Sequence, residues 1–196
     1  MKLKIYLLNY QDLSLDYLLN SSFLTSADIS SFQKFNNENV KKERIVSTIL
    51  KHKYIGEYHL NEYGKPLSND KYFNISHSNG YIALVIDEVP VGIDIEKIRE
   101  VDDSLIEYIS NEQEKEFIKD NESFFQVWTN KEALVKAYGS GIKEKIKTIP
   151  GLPLNGIRIY KGYKFYNKTI NNNDLIITIS RESKIEFDID IIKEVI

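Results

Sequence analysis

The chain has 196 residues, 42% of them hydrophobic and 28% charged, with a formal net charge of −3. That is enough for one large domain or two small halves with a sizeable core, and the acidic balance argues against a non-specific grip on nucleic acid. The absence of cysteine excludes disulfides, thiolate metal sites and thiol nucleophiles, and there is no run of about 18 apolar residues that could span a membrane.

Residues 3–8 (LKIYLL) read as a first strand. The apolar run around them is short and Asp12 soon interrupts it, so no signal peptide is expected and a cytoplasmic location is the default. Residues 27–35 and 38–55 read as helices, the second with Val40, Ile45, Ile49 and Leu50 at roughly helical spacing. NEYGKPL (61–67) is a turn, in which Gly64 permits positive φ and Pro66 keeps the chain out of helix. YFNIS (72–76), the turn HSNG, YIALVID (81–87), the turn EVP and VGIDIE follow. Three short strands with tight connections predict an antiparallel meander. Beyond them, 103–120 and 122–138 read as helices, GSG (139–141) as a helix stop, and strands are expected near 154–160, 162–167, 174–180 and 184–192, with NNND (171–174) as a hairpin turn. The order predicts an α+β fold of two similar halves, 1–98 and 99–196. Each has antiparallel strands packed on helices.

In VGIDIEKI, Val91, Ile93 and Ile95 share one face of a strand, while Asp94 and Glu96 share the other. Side chains two apart on a strand sit roughly 6–7 Å from each other, and two anions that close raise each other's pKa unless a positive group intervenes. A solvated sheet face accounts for such a pair taken alone, but a third carboxylate on a helix, followed by a lysine, changes the balance. On the helix at 122–138, Phe124, Val127, Trp128, Leu134, Val135 and Tyr138 form one apolar stripe, with Glu132 and Lys136 together at its edge. As an exposed pair these two would be worth only about 0.2–0.5 kcal/mol. Lys131 falls in the middle of the stripe, where an ammonium must snorkel out or meet an anion. Three carboxylates and waters suit Mg²⁺, a hard cation. Zinc fits poorly, because there is no Cys and His52, His59 and His77 lack ligand spacing. His77 opens a turn rich in Ser, Asn and Gly whose backbone N–H groups can bind an anion, whereas Ser76–His77–Ser78 has no nucleophile elbow around it.

FNISHSNGYIALVIDEVPVGIDIEKI and FFQVWTNKEALVKAYGSGI, preceded by EYGKPL, together resemble the 4′-phosphopantetheinyl transferases, in particular the larger Sfp-like class. The likeness runs in the family's order over residues 61–142, with W-x-x-K-E-x-x-x-K intact. It implies transfer of phosphopantetheine from coenzyme A to a serine of an apo acyl or peptidyl carrier protein, with release of 3′,5′-ADP. By the family pattern Asp94, Glu96 and Glu132 hold Mg²⁺ (or Mn²⁺) against the coenzyme A pyrophosphate, and Glu132 is general base, directly or through water. Lys136 balances charge on the leaving phosphate. Ser76, His77, Gly64, Lys65 and Pro66 line the nucleotide site, and Lys131 is expected as a further phosphate partner at the edge of the core. In one place the chain departs from the family, since SADISSFQKFNNENVKKER is acidic and polar at its front, where basic residues usually hold the 3′-phosphate. Arg44 is the favoured substitute, ahead of Lys34 and Lys42. Residues 139–160 would carry carrier-protein contacts, and a duplicated chain that supplies both sides of its own cleft is expected to be a monomer. Two rival readings remain open: a Mg²⁺-dependent phosphohydrolase with the same carboxylates, and a non-catalytic module that binds a carrier protein.

Overall fold

The computed structural model describes residues 2–62, 66–141 and 145–196. Strand β1 (Lys2–Asn9) leads into helices α1 (Leu15–Leu19), α2 (Ser26–Phe32) and α3 (Glu38–Tyr54). Each helix starts where a short polar side chain (Ser14, Thr25 or Asn37) accepts a backbone N–H of the first turn. A two-residue ladder of β2 (His59–Leu60) and β3 (Pro66–Leu67) precedes β4 (Tyr72–Ser78), β5 (Tyr81–Asp87) and β6 (Val91–Lys97). Helices α4 (Asp103–Ile109), α5 (Glu112–Phe117) and α6 (Asn121–Tyr138) come next, then a 3-10 turn (Ile146–Thr148). The chain ends in β7 (Gly156–Tyr160), β8 (Tyr163–Asn172), β9 (Leu175–Glu182) and β10 (Asp188–Lys193).

Apart from the short β2-β3 pair, the strands form two four-stranded sheets, ordered β10-β1-β5-β4 and β6-β9-β8-β7. Alternation along each strand builds four layers. Leu8, Ile82 and Leu84 face Ile45, Val46, Ile49 and Leu50 of α3. On the opposite face of the same strands, Ile5, Leu7, Ala83 and Val85 meet Val91, Ile93, Ile95, Ile177 and Ile179 of the second sheet. The outer face of that sheet, with Phe165 and Ile176, lies under Phe124, Phe125, Val127 and Leu134 of α6. This is an α+β architecture of two sheets packed on helices. Among the described residues no helix is long and apolar enough to cross a membrane.

The expected meander breaks after its second strand. β4 and β5 pair as a hairpin through Asn79 and Gly80, at φ 45° and 82°, the positive pair that tight hairpin turns require. β6 does not join them, because both edges of β5 are already taken, one by β4 and the other by β1. It passes into the second sheet and pairs antiparallel with β9. In return β10 joins the first sheet, parallel to β1, so that sheet is not wholly antiparallel. The halves 1–98 and 99–196 are therefore interleaved by one exchanged strand each. The single helix expected over 103–120 is two, because Ser110 is extended and Asn111 caps α5 in a reciprocal pair with Glu114.

Candidate active site

The second helix layer comes down on β6 at one glycine. A Cβ on Gly92 would lie 2.2 Å from the Ala133 carbonyl oxygen and 2.3 Å from the Ala137 nitrogen. Only hydrogen at that position lets the α6 backbone settle on the strand. Asp94 and Glu96 follow on the same strand face, and Glu132 and Lys136, one turn apart on α6, come over them. Lys136 Nζ donates to Asp94 Oδ1 at 2.6 Å and to Ser76 Oγ at 3.0 Å.

The first sheet contributes β4, whose edge lies alongside the edge of β6. The two strands share no backbone ladder. Instead Ile93, Ile95 and Lys97 donate their N–H groups to the side chains of Asn74 Oδ1, Ser76 Oγ and Ser78 Oγ, at 2.9, 3.3 and 3.2 Å. Two of these rungs also hold a carboxylate. Ser76 Oγ donates to Asp94 Oδ1 at 2.9 Å, and Ser78 Oγ donates to Glu96 Oε2 at 2.8 Å. Arg99 Nη1 donates to the same Glu96 oxygen at 2.9 Å while its guanidinium lies 4.6 Å from the Phe125 ring centre.

Burial governs the electrostatics. Asp94 is 5% exposed, and desolvation raises its pKa despite the opposing Lys136 ammonium and Ser76 hydroxyl. Glu132 is pushed up to about 7, chiefly by burial and then by the charge on Asp94, with Lys136 opposing and Glu96 adding to the shift. The family-implied ion has to answer this repulsion. Among the described residues no three His, Asp or Glu side chains are drawn together as a ready-made metal cage, and Lys136 occupies the Asp94 Oδ1 position. The residues nevertheless fit a hard divalent cation. The donors are carboxylate oxygens, and Asp94 Oδ2 is buried with no hydrogen-bond partner among the described residues. A buried anionic oxygen left bare in this way is costly.

The other expected site residues divide. Ser76 joins the cluster, but His77, next to it on β4, points to the opposite face, where its half-exposed ring puts Nε2 3.1 Å from Glu43 Oε1 on α3. Arg44, the neighbour of Glu43, is exposed, with its guanidinium 6.0 Å from the Phe35 ring centre. Pro66 pairs with Leu60 in the short ladder, and Gly64 and Lys65 lie outside the described residues. The expectation that Lys131 touches phosphate is corrected. Its side chain is 0% exposed, Nζ is 2.6 Å from Glu114 Oε2, and it also donates to the Ile109 and Ile146 carbonyls. An ammonium has three N–H donors, and all three are spent inside the core. Gly92, Ser78, Arg99 and Glu43 were not anticipated. The N-x-S-x-S alternation from Asn74 to Ser78 was visible in the sequence, but not the strand it faces.

Comparison with known proteins bears on this same region. A family model described as the 4′-phosphopantetheinyl transferase superfamily matches residues 90–179. The chain is 43% identical over 89 residues to the 4′-phosphopantetheinyl transferase gsp of Aneurinibacillus migulanus, covering 42% of this chain and 38% of that one. It is 28% identical over 140 residues to the 4′-phosphopantetheinyl transferase ffp of Bacillus subtilis, covering 62% of each. To the 4′-phosphopantetheinyl transferase Sfp of Bacillus subtilis strain 168 it is 32% identical over 90 residues, covering 41% of this chain and 40% of that one. In each case the match spans less than two thirds of the relative. Over the segment that carries the β6 carboxylates and helix α6, the chain is similar to the 4′-phosphopantetheinyl transferase superfamily.

Proposed function

We propose that this chain transfers the 4′-phosphopantetheine group from coenzyme A to a serine hydroxyl of an acyl or peptidyl carrier protein, as a cytoplasmic monomer. The supporting observation is that Ser76 and Lys136 both meet Asp94 on one oxygen, with Glu132 near enough on α6 for the charges of Asp94, Lys136 and Glu96 to act on it. In this reaction the serine oxygen forms a bond to the pyrophosphate phosphorus that carries pantetheine. The bond from that phosphorus to the bridging oxygen breaks, and 3′,5′-ADP leaves.

Serine is a weak nucleophile and needs a base within reach. Glu132 suits that role, because a carboxyl titrating at about 7 can take a proton near neutral pH and hand it on. Lys136, already aimed into the site, offsets charge that builds on the leaving phosphate. Asp94, Glu96 and Glu132 would hold the Mg²⁺ or Mn²⁺. When bound, the ion supplies charge neutralisation for the diphosphate oxygens. His77, Arg44 and Ser76, with Pro66, Gly64 and Lys65, remain the proposed lining of the nucleotide site, and residues 139–160 the proposed carrier-protein contact. Ser76 acts there first by aiming Asp94.

Intact-mass analysis of a panel of apo-carrier proteins, incubated with coenzyme A, Mg²⁺ and the enzyme, tests the reading. The expected result is a gain of one phosphopantetheine with wild type and none with Glu132→Ala. Nucleotide release without any carrier would point to a phosphohydrolase instead. A complete lack of mass gain across the panel would point to a binding module.

A further inference from the structure

The two strand carboxylates are held by the same device. One oxygen of Asp94 takes both a β4 serine and a cation, namely Ser76 Oγ at 2.9 Å and Lys136 Nζ at 2.6 Å on Oδ1. One oxygen of Glu96 likewise takes Ser78 Oγ at 2.8 Å and Arg99 Nη1 at 2.9 Å, both on Oε2. In each case the second oxygen is the one these bonds do not hold, and for Asp94 that oxygen is buried and bare among the described residues. Ser78 is itself 8% exposed and is fixed by the Lys97 N–H at 3.2 Å. Arg99 is steadied by the Lys97 carbonyl at 3.1 Å and by the Phe125 ring.

A carboxylate with one oxygen locked in this way can offer a cation one oxygen, not two. Mg²⁺ demands octahedral geometry, keeps several waters and takes one or two carboxylates in that single-oxygen mode. Ca²⁺ takes about 6–8 oxygens and makes ready use of bidentate carboxylates. We infer that Ser78 and Arg99 are positioning residues that set metal selectivity, holding Glu96 by Oε2 so that it binds through one oxygen and Ca²⁺ is disfavoured against Mg²⁺. The inference rests on the magnesium reading of the site and goes beyond it, because neither residue is among the proposed holders of the ion or of coenzyme A.

Calorimetric titration of the metal-free protein with Mg²⁺ and, separately, Ca²⁺ tests this without turnover. The comparison is between wild type, Ser78→Ala, Ser78→Thr and Arg99→Gln. Releasing one hydrogen bond to a charged oxygen is expected to lower the ratio of the Ca²⁺ to the Mg²⁺ dissociation constant about tenfold in Ser78→Ala and Arg99→Gln. Ser78→Thr, which retains the hydroxyl, should keep the wild-type ratio. The ratio is the discriminating readout, since loss of the Arg99 charge alone shifts both divalent ions alike. Arg99 is about half exposed, so its variant folds even if Ser78→Ala does not. An unchanged ratio in Arg99→Gln overturns the inference and leaves the metal site standing. Absence of binding by either cation to wild type removes the three-carboxylate reading and this inference with it.

Discussion

Glu132→Gln should make the metal-free protein more stable while abolishing transfer. The carboxyl of Glu132 titrates at about 7 in the fold against an ordinary value of 4.5. Between those values the folded chain holds a proton that the unfolded chain has released. Wild-type stability therefore falls as pH rises through that window, and the penalty is complete above about 7. Its size is roughly 2–3 kcal/mol after allowance for partial exposure of the side chain. A neutral amide of the same shape removes the penalty. For a chain of this length that corresponds to a rise of about 5–10 °C in melting temperature at pH 8. The assay is thermal unfolding of wild type and variant in chelator across pH 4 to 8. The curves should converge below about pH 4.5 and separate towards pH 8. Adding Mg²⁺ should narrow the gap, since an ion that binds only the folded carboxylate raises wild-type stability by mass action. A variant that melts at or below wild type at pH 8, or a gap that does not depend on pH, would refute the assignment of Glu132 to a repulsive acidic cluster.

Other substitutions probe the scaffold. Gly92→Ala should cost about 1–3 kcal/mol by overpacking and nearly eliminate transfer, because the new methyl meets two backbone atoms of α6 near 2.2 Å and lifts Glu132 and Lys136 off β6; unfolding curves and single-turnover rates check both. Lys131→Met should destabilise by about 3–5 kcal/mol, since it leaves the Glu114 carboxylate charged and buried. The double change with Glu114→Gln should recover most of that loss, and coenzyme A affinity measured on the folded protein should stay as in wild type. Lys136→Met should lower turnover about a hundredfold by removing charge stabilisation of the leaving group, read in steady-state transfer assays.

What could be read from the sequence was whatever is local. Alternation in VGIDIE placed the isoleucines on the inter-sheet face and the two acids on the other. The helical wheel of 122–138 placed Glu132 and Lys136 together and Lys131 in the core. Periodicity cannot say what a buried ammonium meets, and so Lys131 was assigned to a ligand when its partner is Glu114 on a separate short helix. Strand order was equally out of reach. That β6 leaves its neighbours follows from β1 having filled the second edge of β5, a long-range pairing with no local signature. The break at Ser110 and Asn111 was local, however, and the Asn111–Glu114 capping box could have been recognised.

The exchange of strands has a consequence for the chemistry. Asp94, Glu96, Glu132 and Lys136 all belong to the second sheet and its helix, whereas the hydroxyls that aim the two strand acids come from β4 of the first. Were β4 and β6 joined by an ordinary backbone ladder, the Ile95 and Lys97 N–H groups would go to β4 carbonyls and not to the hydroxyls of Ser76 and Ser78. Because side chains replace the ladder, each serine spans the seam and meets an N–H and an acid at once. The acids are therefore aimed only when the two sheets are docked. Loosening the inter-sheet core of Ile5, Val85, Ile93 and Ile179 should thus degrade metal binding before it unfolds either sheet. A variant such as Ile93→Val, costing roughly 1 kcal/mol in the core, should weaken Mg²⁺ affinity at temperatures where circular dichroism still reports full secondary structure. Affinity that holds steady until the secondary structure itself melts would mean that the seam and the site are independent.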